Sequence, residues 1–368
     1  MIGQALTLKG IRKRYKENLA VNDVSIDIDA GEFVSILGPS GSGKTTLLTM
    51  IAGFESPCAG QIAIGGRDIT PQAPNRRNIG LVFQRYALFP HMTVGQNVAF
   101  PLRMRGIGRA PTRDRVKGAL ELVQLGAYED RYPDQLSGGQ QQRVAVARAL
   151  VFEPPVLLMD EPLGALDKNL REAMQFEIKR LQSKLGATVI YVTHDQDEAL
   201  TMSDRIAVMA NGNLVQIGRP TDIYQSPVSP FVADFIGRMN FIDCDYLGSE
   251  GGEGVVLLAE GLTLKTPLPG PIDQAKIKAG MAVRLAIRPE RMSLVQAGSN
   301  GAIPGRVEAR IFVGSFQLFL VRIKSRGNPL VQIKIAATGE MPVADAGDEV
   351  GIRAQTAAIH IFPGQGGQ

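Results

Sequence analysis

Apolar and polar positions alternate in blocks along the chain. From residue 1 to about 235, short apolar runs of strand type, among them EFVSILG, PVLLMD and TVIYVTH, are separated by longer stretches with helical spacing. This alternation predicts an α/β unit on a mainly parallel sheet. Each of the three runs ends at a chemically loaded residue, and ligands of open α/β sheets sit at the carboxyl ends of strands. Between about 95 and 150 the strand signal lapses, and DRVKGALELVQLGA and SGGQQQRVAVARALVF carry helical spacing instead. A helical subdomain is expected there.

In MANGNLVQIG, Asn211 and Gly212 predict a tight hairpin turn, after which Pro220, Pro227 and Pro230 punctuate the chain around a short helix. The expected boundary lies near 240, giving domains 1–239 and 240–368. Beyond it, GVVLLAEG, LTLKTPL, MAVRLAIRPE, IPGRVEARIFVG, QLFLVRIK, PLVQIKIAA and EVGIRAQTAAIHIF read as short strands between Gly and Pro turns. Such a series predicts an all-β, OB-like module. Phe312, Phe316 and Phe319 are expected in its core.

Composition narrows the class without deciding it. The 368 residues suffice for two or three units with cores of their own, and 44% hydrophobic with 21% charged residues is a globular balance. Forty basic against 36 acidic residues leave +4, an excess that demands neither nucleic acid nor anionic lipid. The two cysteines, Cys58 and Cys244, with no leader pattern at MIGQALTLKG, are expected to be reduced thiols in a cytosolic protein. No run approaches the ~18 apolar residues of a membrane-spanning helix. A role at a membrane would therefore need another chain.

The chemistry begins at GPSGSGKTT, formed by Gly38, Pro39, Ser40, Gly41, Ser42, Gly43, Lys44, Thr45 and Thr46. A G-x-x-x-x-G-K-T run after a strand and opening a helix is a phosphate cradle: glycines let backbone N–H groups converge, and the helix start adds positive potential. Lys44 would neutralise phosphate oxygens and the Thr45 hydroxyl would hold Mg²⁺. Downstream, VLLMDEP is a buried strand ending at two carboxylates. Asp160 is the candidate for Mg²⁺ and Glu161 for activating a water, while His194 is placed to donate to a terminal phosphate. A second glycine turn, LSGGQ, repeats the anion-binding logic, with Ser137 as a helix cap and Gly138, Gly139 and Gln140 following it. One phosphate in the first cradle cannot easily occupy the second as well, so each turn is expected to grip a nucleotide held by a partner protomer.

With these motifs in place, residues 6 to about 235 resemble the ATP-binding subunit of an ABC transporter, a P-loop NTPase cassette. The resemblance implies that Tyr15 stacks on adenine and that Gln84 in LVFQRYALFP senses Mg²⁺ and the attacking water. It further implies that Leu163–Asp167, LGALD, crosses between protomers, although Gly164 stands where many relatives carry Ser. It implies a head-to-tail homodimer enclosing two MgATP at the cytoplasmic face of the inner membrane, bound to permease subunits and served indirectly by an extracytoplasmic solute-binding protein. Residues 240–368, with LAIRPERMSL, are similar to the regulatory TOBE-type domain of importer ATPases. The run FPHMTVGQNVAFPL, the LGALD loop and YQSPVSPFVADFIGRMNFID look most like polyamine importers, with iron, sulfate, phosphonate and sugar importers as alternatives.

Three other readings fit less well. A soluble ABC ATPase acting on nucleic acid would bring long coiled coils or a second cassette, and no long heptad tract occurs. The C-terminal region lacks the aromatic and basic clusters that stack single strands, so no nucleic-acid partner is expected. A small-molecule kinase with a phosphate cradle has no use for LSGGQ.

Overall fold

The computed structural model describes residues 2–83, 86–164, 166–268, 277–337 and 344–364. Its chain divides into two compact units, Met1–Ser226 and Pro227–Gln368.

The first unit opens with a hairpin of β1 (Leu6–Tyr15) and β2 (Asn18–Ile28), followed by β3 (Phe33–Leu37) and helix α1 (Lys44–Ala52). Strands β4 (Ala59–Ile64), β5 (Arg67–Asp68) and β6 (Ile79–Val82) come next. A helical stretch then holds α2 (Val94–Met104), α3 (Arg109–Leu122) and α4 (Gly138–Leu150). The remainder alternates as β7 (Val156–Asp160), α5 (Lys168–Leu185), β8 (Thr188–Thr193), α6 (Gln196–Met202) and β9 (Arg205–Ala210). It closes with β10 (Asn213–Gly218) and α7 (Pro220–Gln225).

A six-stranded sheet runs β10-β9-β3-β8-β7-β6. Its four pairings from β9 to β6 follow parallel registers, and only the β9–β10 hairpin is antiparallel. The parallel strands β3 and β8 are buried at every position, as continuous apolar strands covered on both faces must be. Asn211 and Gly212 form the turn with φ of 49° and 78°, the paired positive values of a tight two-residue hairpin.

One feature departs from the sequence reading. Strands β1, β2, β4 and β5 form a separate antiparallel sheet in the order β2-β1-β4-β5. The two-residue link between Tyr15 and Asn18 is too short for a parallel crossover, so these strands had to pair antiparallel. This sheet and α1 share a core of Leu6, Ile11, Val24, Leu47, Ile51 and Ile62. Buried Arg77 locks the far end of α1, donating to the Met50 carbonyl at 2.7 Å and the Ile51 carbonyl at 2.8 Å. A cation there complements the helix's negative end.

The second unit begins with α8 (Pro230–Phe235), β11 (Asn240–Glu250), β12 (Glu253–Ala259), β13 (Leu262–Thr266) and β14 (Met281–Ile287). It continues as β15 (Met292–Gln296), β16 (Ile303–Phe312), β17 (Phe316–Ile323), β18 (Leu330–Ala336), β19 (Glu349–Ala354) and β20 (His360–Pro363). Two five-stranded antiparallel sheets result, β13-β12-β11-β14-β20 and β15-β19-β16-β17-β18. They enclose Ile242, Val283, Leu285, Phe319, Val321 and Ile352. The final run EVGIRAQTAAIHIF is two strands, β19 and β20, which a turn at Thr356–Ala358 sends to different sheets.

Phe319 is fully buried as expected, but Phe312 is not a core residue: it is 68% exposed at the end of β16. It lies past a register shift between Val307 and Ala309, at the end of the strand where burial lapses, and pairs with Gln317 beyond the enclosed core. Cys244 is buried, and loss of water around it, helped by Asp245 and Asp243, pushes its thiol up to about 12, so it stays protonated. Cys58 is exposed and free.

Candidate functional site

The parallel register assembles the site. At the carboxyl edge of the large sheet Leu37 pairs with Thr193, and Asp160 pairs with Val192. Three strand ends therefore deliver Gly38, Asp160–Glu161 and His194 side by side.

Between β3 and α1 the chain wraps into the cradle. A side chain at Gly38 would lie 2.3 Å from the Met209 carbonyl, and one at Gly43, whose φ is 97°, would lie 2.3 Å from that of Ala20. Only glycine fits either place. Gly43 is the N-cap of α1, so the first amides of that helix open onto the loop. The Lys44 ammonium folds back over it, donating to the carbonyls of Gly38 at 2.8 Å and Pro39 at 3.0 Å. Burial draws the Lys44 pKa down, while Glu161 and Asp160 pull it up. The buried Ser42 hydroxyl has no partner among the described residues, and such an orphaned group beside the first amides of α1 suits a phosphate ligand.

Asp160 sits within 3.4 Å of the Thr45 hydroxyl. Burial raises its pKa and adjacent Glu161 raises it further, against the Thr45 hydrogen bond and Lys44. A carboxylate held at that cost beside a hydroxyl is a donor set for a hard cation that keeps most of its ligands from water and phosphate, as Mg²⁺ does. No group of three or more His, Cys, Asp or Glu with metal-site geometry occurs among the described residues.

Glu161 adopts φ of 43°, uncommon for a residue with a side chain, and its amide donates to the Val192 carbonyl at 2.9 Å. From that position its carboxylate meets His194 Nδ1 at 3.2 Å. The histidine side chain remains 60% exposed. Gln84 lies outside the described residues.

Tyr15 joins the cradle from the antiparallel sheet. It lines a cleft of about 470 Å³ with Gly41, Ser42, Gly43, Lys44, Thr45 and Thr46. Lys13 lies 5.1 Å from its ring centre. Leu19, Ala20, Asn211 and Gly212 also line the cleft, and the Gly212 amide donates to the Ser42 carbonyl at 3.2 Å. The Asn-Gly doublet was legible as a turn; that it props the cradle is a tertiary fact with no local signal.

The second glycine turn is built as a helix start. Ser137 accepts from the Gln140 amide and Gln140 accepts from the Ser137 amide at 2.9 Å, a reciprocal capping box. The amides of Gly138 and Gly139 occupy the first turn of α4 and have no acceptor within the helix. None of the four residues lines the Tyr15 cleft. They sit instead beside the LGALD segment: a side chain at Gly139 would strike Leu170 at 2.6 Å, and Leu166 lies 3.9 Å from the corresponding position of Gly138. At Gly164 an added Cβ would make only an ordinary 3.6 Å contact with the Glu161 carbonyl, so the loop has room for the Ser of relatives.

Comparison with known proteins follows the same lines. The sequence profile of the ABC transporter family matches residues 21–164, and that of the TOBE domain matches residues 285–362. The chain is 48% identical to the spermidine/putrescine import ATP-binding protein PotA of Rubrobacter xylanophilus, the match covering 88% of this chain and 85% of that one. It is 48% identical to the Fe(3+) ions import ATP-binding protein FbpC of Rhizobium etli over 84% of this chain and 85% of the relative. Over nearly its full length, 98%, it is 44% identical to PotA of Pseudomonas fluorescens, of which 96% is covered. Among solved structures, the dimeric post-hydrolysis state of the ATP-binding cassette MJ0796 with ADP and Pi matches at TM-score 0.53 and 37% identity, over 58% of this chain and 98% of that one.

Proposed function

The chain belongs to the family of ABC transporter ATP-binding proteins, and from that membership we propose that it is the ATPase that powers a polyamine importer. The observation that carries the catalytic part is the Glu161–His194 pair at 3.2 Å, set beside Lys44, Thr45 and Asp160 on one sheet edge.

Lys44, Ser42 and the first amides of α1 bind the phosphates, and Tyr15 supplies a face for the adenine across the same cleft. Thr45 and Asp160 would hold Mg²⁺, which when bound neutralises charge on the phosphate oxygens. The family resemblance assigns Gln84, outside the described residues, to the same shell. Glu161 takes the proton of the attacking water as the bond from the terminal phosphorus to the bridging oxygen of ADP breaks. Its contact with Nδ1 also orients the His194 ring, whose Nε2 donates to the terminal phosphate when the ring carries both protons.

The second half of each site is the Ser137–Gln140 turn of a second protomer. Its place beside Leu166 and Leu170, away from the cleft of its own chain, supports action in trans. MJ0796, solved as a dimer, supports the same arrangement.

A permease partner is proposed for an apolar groove of about 330 Å³ lined by Leu81, Phe83, Phe89, Phe100, Pro101 and Phe152. Asn97, fully buried, clamps its loop by donating to the carbonyls of Phe89, Met92 and Thr93 and accepting from the Phe89 amide at 2.9 Å. Arg148 of α4 donates to the carbonyls of Tyr86 and Ala87, tying the groove to the helix that carries the second turn. A cytoplasmic helix of the permease fits such a surface. No helix among the described residues is long and apolar enough to cross a membrane, consistent with peripheral attachment at the cytoplasmic face. Phe89→Asp is expected to abolish transport in reconstituted vesicles while ATP-driven dimerisation of the subunit persists. Unimpaired transport would remove the groove from the account.

The cargo rests on the import proteins named PotA, which the chain matches at 44–48% identity. Reconstituted with its permease and binding protein, the complex is expected to hydrolyse ATP faster when the binding protein carries spermidine or putrescine. Stimulation by ferric iron and not by a polyamine would transfer the chain to the FbpC-like importers and leave the ATPase assignment intact.

A further inference from the structure

Arg171 has no part in the chemistry above, yet it touches two of the segments that frame it. It stands in the first turn of α5, four residues after the N-cap Asp167. A cation there opposes the helix dipole, so helix stability does not explain it. Its side chain turns back instead. One terminal nitrogen donates to the Leu166 carbonyl at 3.0 Å, the other to the Asp195 carboxylate at 3.1 Å, and Nε faces Glu198 at 3.9 Å.

The two anchors belong to different functional segments. Leu166 lies in the Leu163–Asp167 loop. Asp195 directly follows His194 and caps α6 through the amides of Asp197 and Glu198, and its own amide donates to Thr193 at 3.0 Å. Glu198, only 3% exposed, accepts from Tyr191 at 2.8 Å and Thr193 at 2.7 Å. The residues on both sides of His194 are thus fixed to one polar cluster, and Arg171 is the member of that cluster that also grips the loop. Its planar fork can hold both anchors at once, which a single-point donor cannot.

We propose that Arg171 is a positioning residue that couples the Leu163–Asp167 loop to His194, so that displacement of the loop by the partner protomer sets the histidine and its Glu161 partner for hydrolysis. The inference rests on the reading that this loop meets a second protomer. A loop that faces one composite site, tied to the histidine of the other, makes the two sites of the dimer interdependent.

The test compares Arg171→Ala and Arg171→Lys with wild type in the full-length protein, measuring ATPase rate against ATP concentration. In Arg171→Ala, kcat is expected to fall roughly tenfold or more while KM for ATP stays within about twofold, because the histidine is misplaced and the cradle untouched. The Hill coefficient is expected to drop from above one to about one. Arg171→Lys restores a single anchor, so it is expected to recover folding and part of kcat but not the cooperativity. Wild-type cooperativity in either variant overturns the proposal, as does a wild-type enzyme without cooperativity. Should Arg171→Ala fail to fold, Arg171→Lys decides alone by the same criterion. ATP-driven dimerisation of Glu161→Gln, run in parallel, separates the two levels: its absence removes the dimer reading, whereas its presence with unchanged Arg171 variants removes only the coupling.

Discussion

Glu161→Gln is expected to bind MgATP and hydrolyse it roughly 10²–10³ times more slowly than wild type, the loss that follows from deleting a general base. That is about 3–4 kcal/mol on the barrier. The substitution keeps the shape of the side chain and the backbone bond from residue 161 to the Val192 carbonyl, so the unusual φ of 43° is not disturbed. Lys44, Thr45 and Asp160 remain in place. Removing one of two adjacent carboxylates also relieves the repulsion that raises the Asp160 pKa, which favours an anionic nucleotide. Binding without turnover should therefore accumulate the ATP-bound dimer, visible by gel filtration in ATP and Mg²⁺. Hydrolysis near the wild-type rate would remove Glu161 as the base, and a species that stays monomeric would remove the sandwich.

Much of this site is legible in the sequence because its chemistry is local. The cradle needs glycines at fixed spacing before Lys44 and Thr45, and Ser137 caps a helix with Gln140 three residues later, patterns set by backbone geometry alone. The pairing of Asp160–Glu161 with His194 follows once the strands are read as parallel neighbours. What was not legible depends on distant packing. The antiparallel sheet that carries Tyr15 depends on long-range pairing, because β4, the second partner of β1, lies beyond α1. Turn punctuation alone does not mark the strands Asn240–Glu250 and Met292–Gln296, though the first alternates buried Ile242, Cys244 and Tyr246 with more exposed neighbours. The polar cluster around Arg171 left no trace in the sequence, because Asp195 and Glu198 lie 24 and 27 positions further along and only the fold brings them together.

The second large effect concerns the two glycine turns. Lys44→Ala removes the ammonium that folds over the cradle and is expected to lose most nucleotide affinity. Ser137→Arg removes a capping box worth about 1 kcal/mol, a loss the fold can absorb, and sets a bulky side chain over the amides of Gly138 and Gly139. If each site is built from the cradle of one protomer and the second turn of the other, neither variant alone can form an intact site. A mixed dimer can form one, from the cradle of the Ser137→Arg chain and the turn of the Lys44→Ala chain. The measurement is gel filtration in ATP and Mg²⁺ of the two variants, each also carrying Glu161→Gln, run separately and as an equal mixture. A dimer in the mixture and in neither separate sample is the predicted result; a mixture as monomeric as its components, when Glu161→Gln alone dimerises, would contradict the composite site.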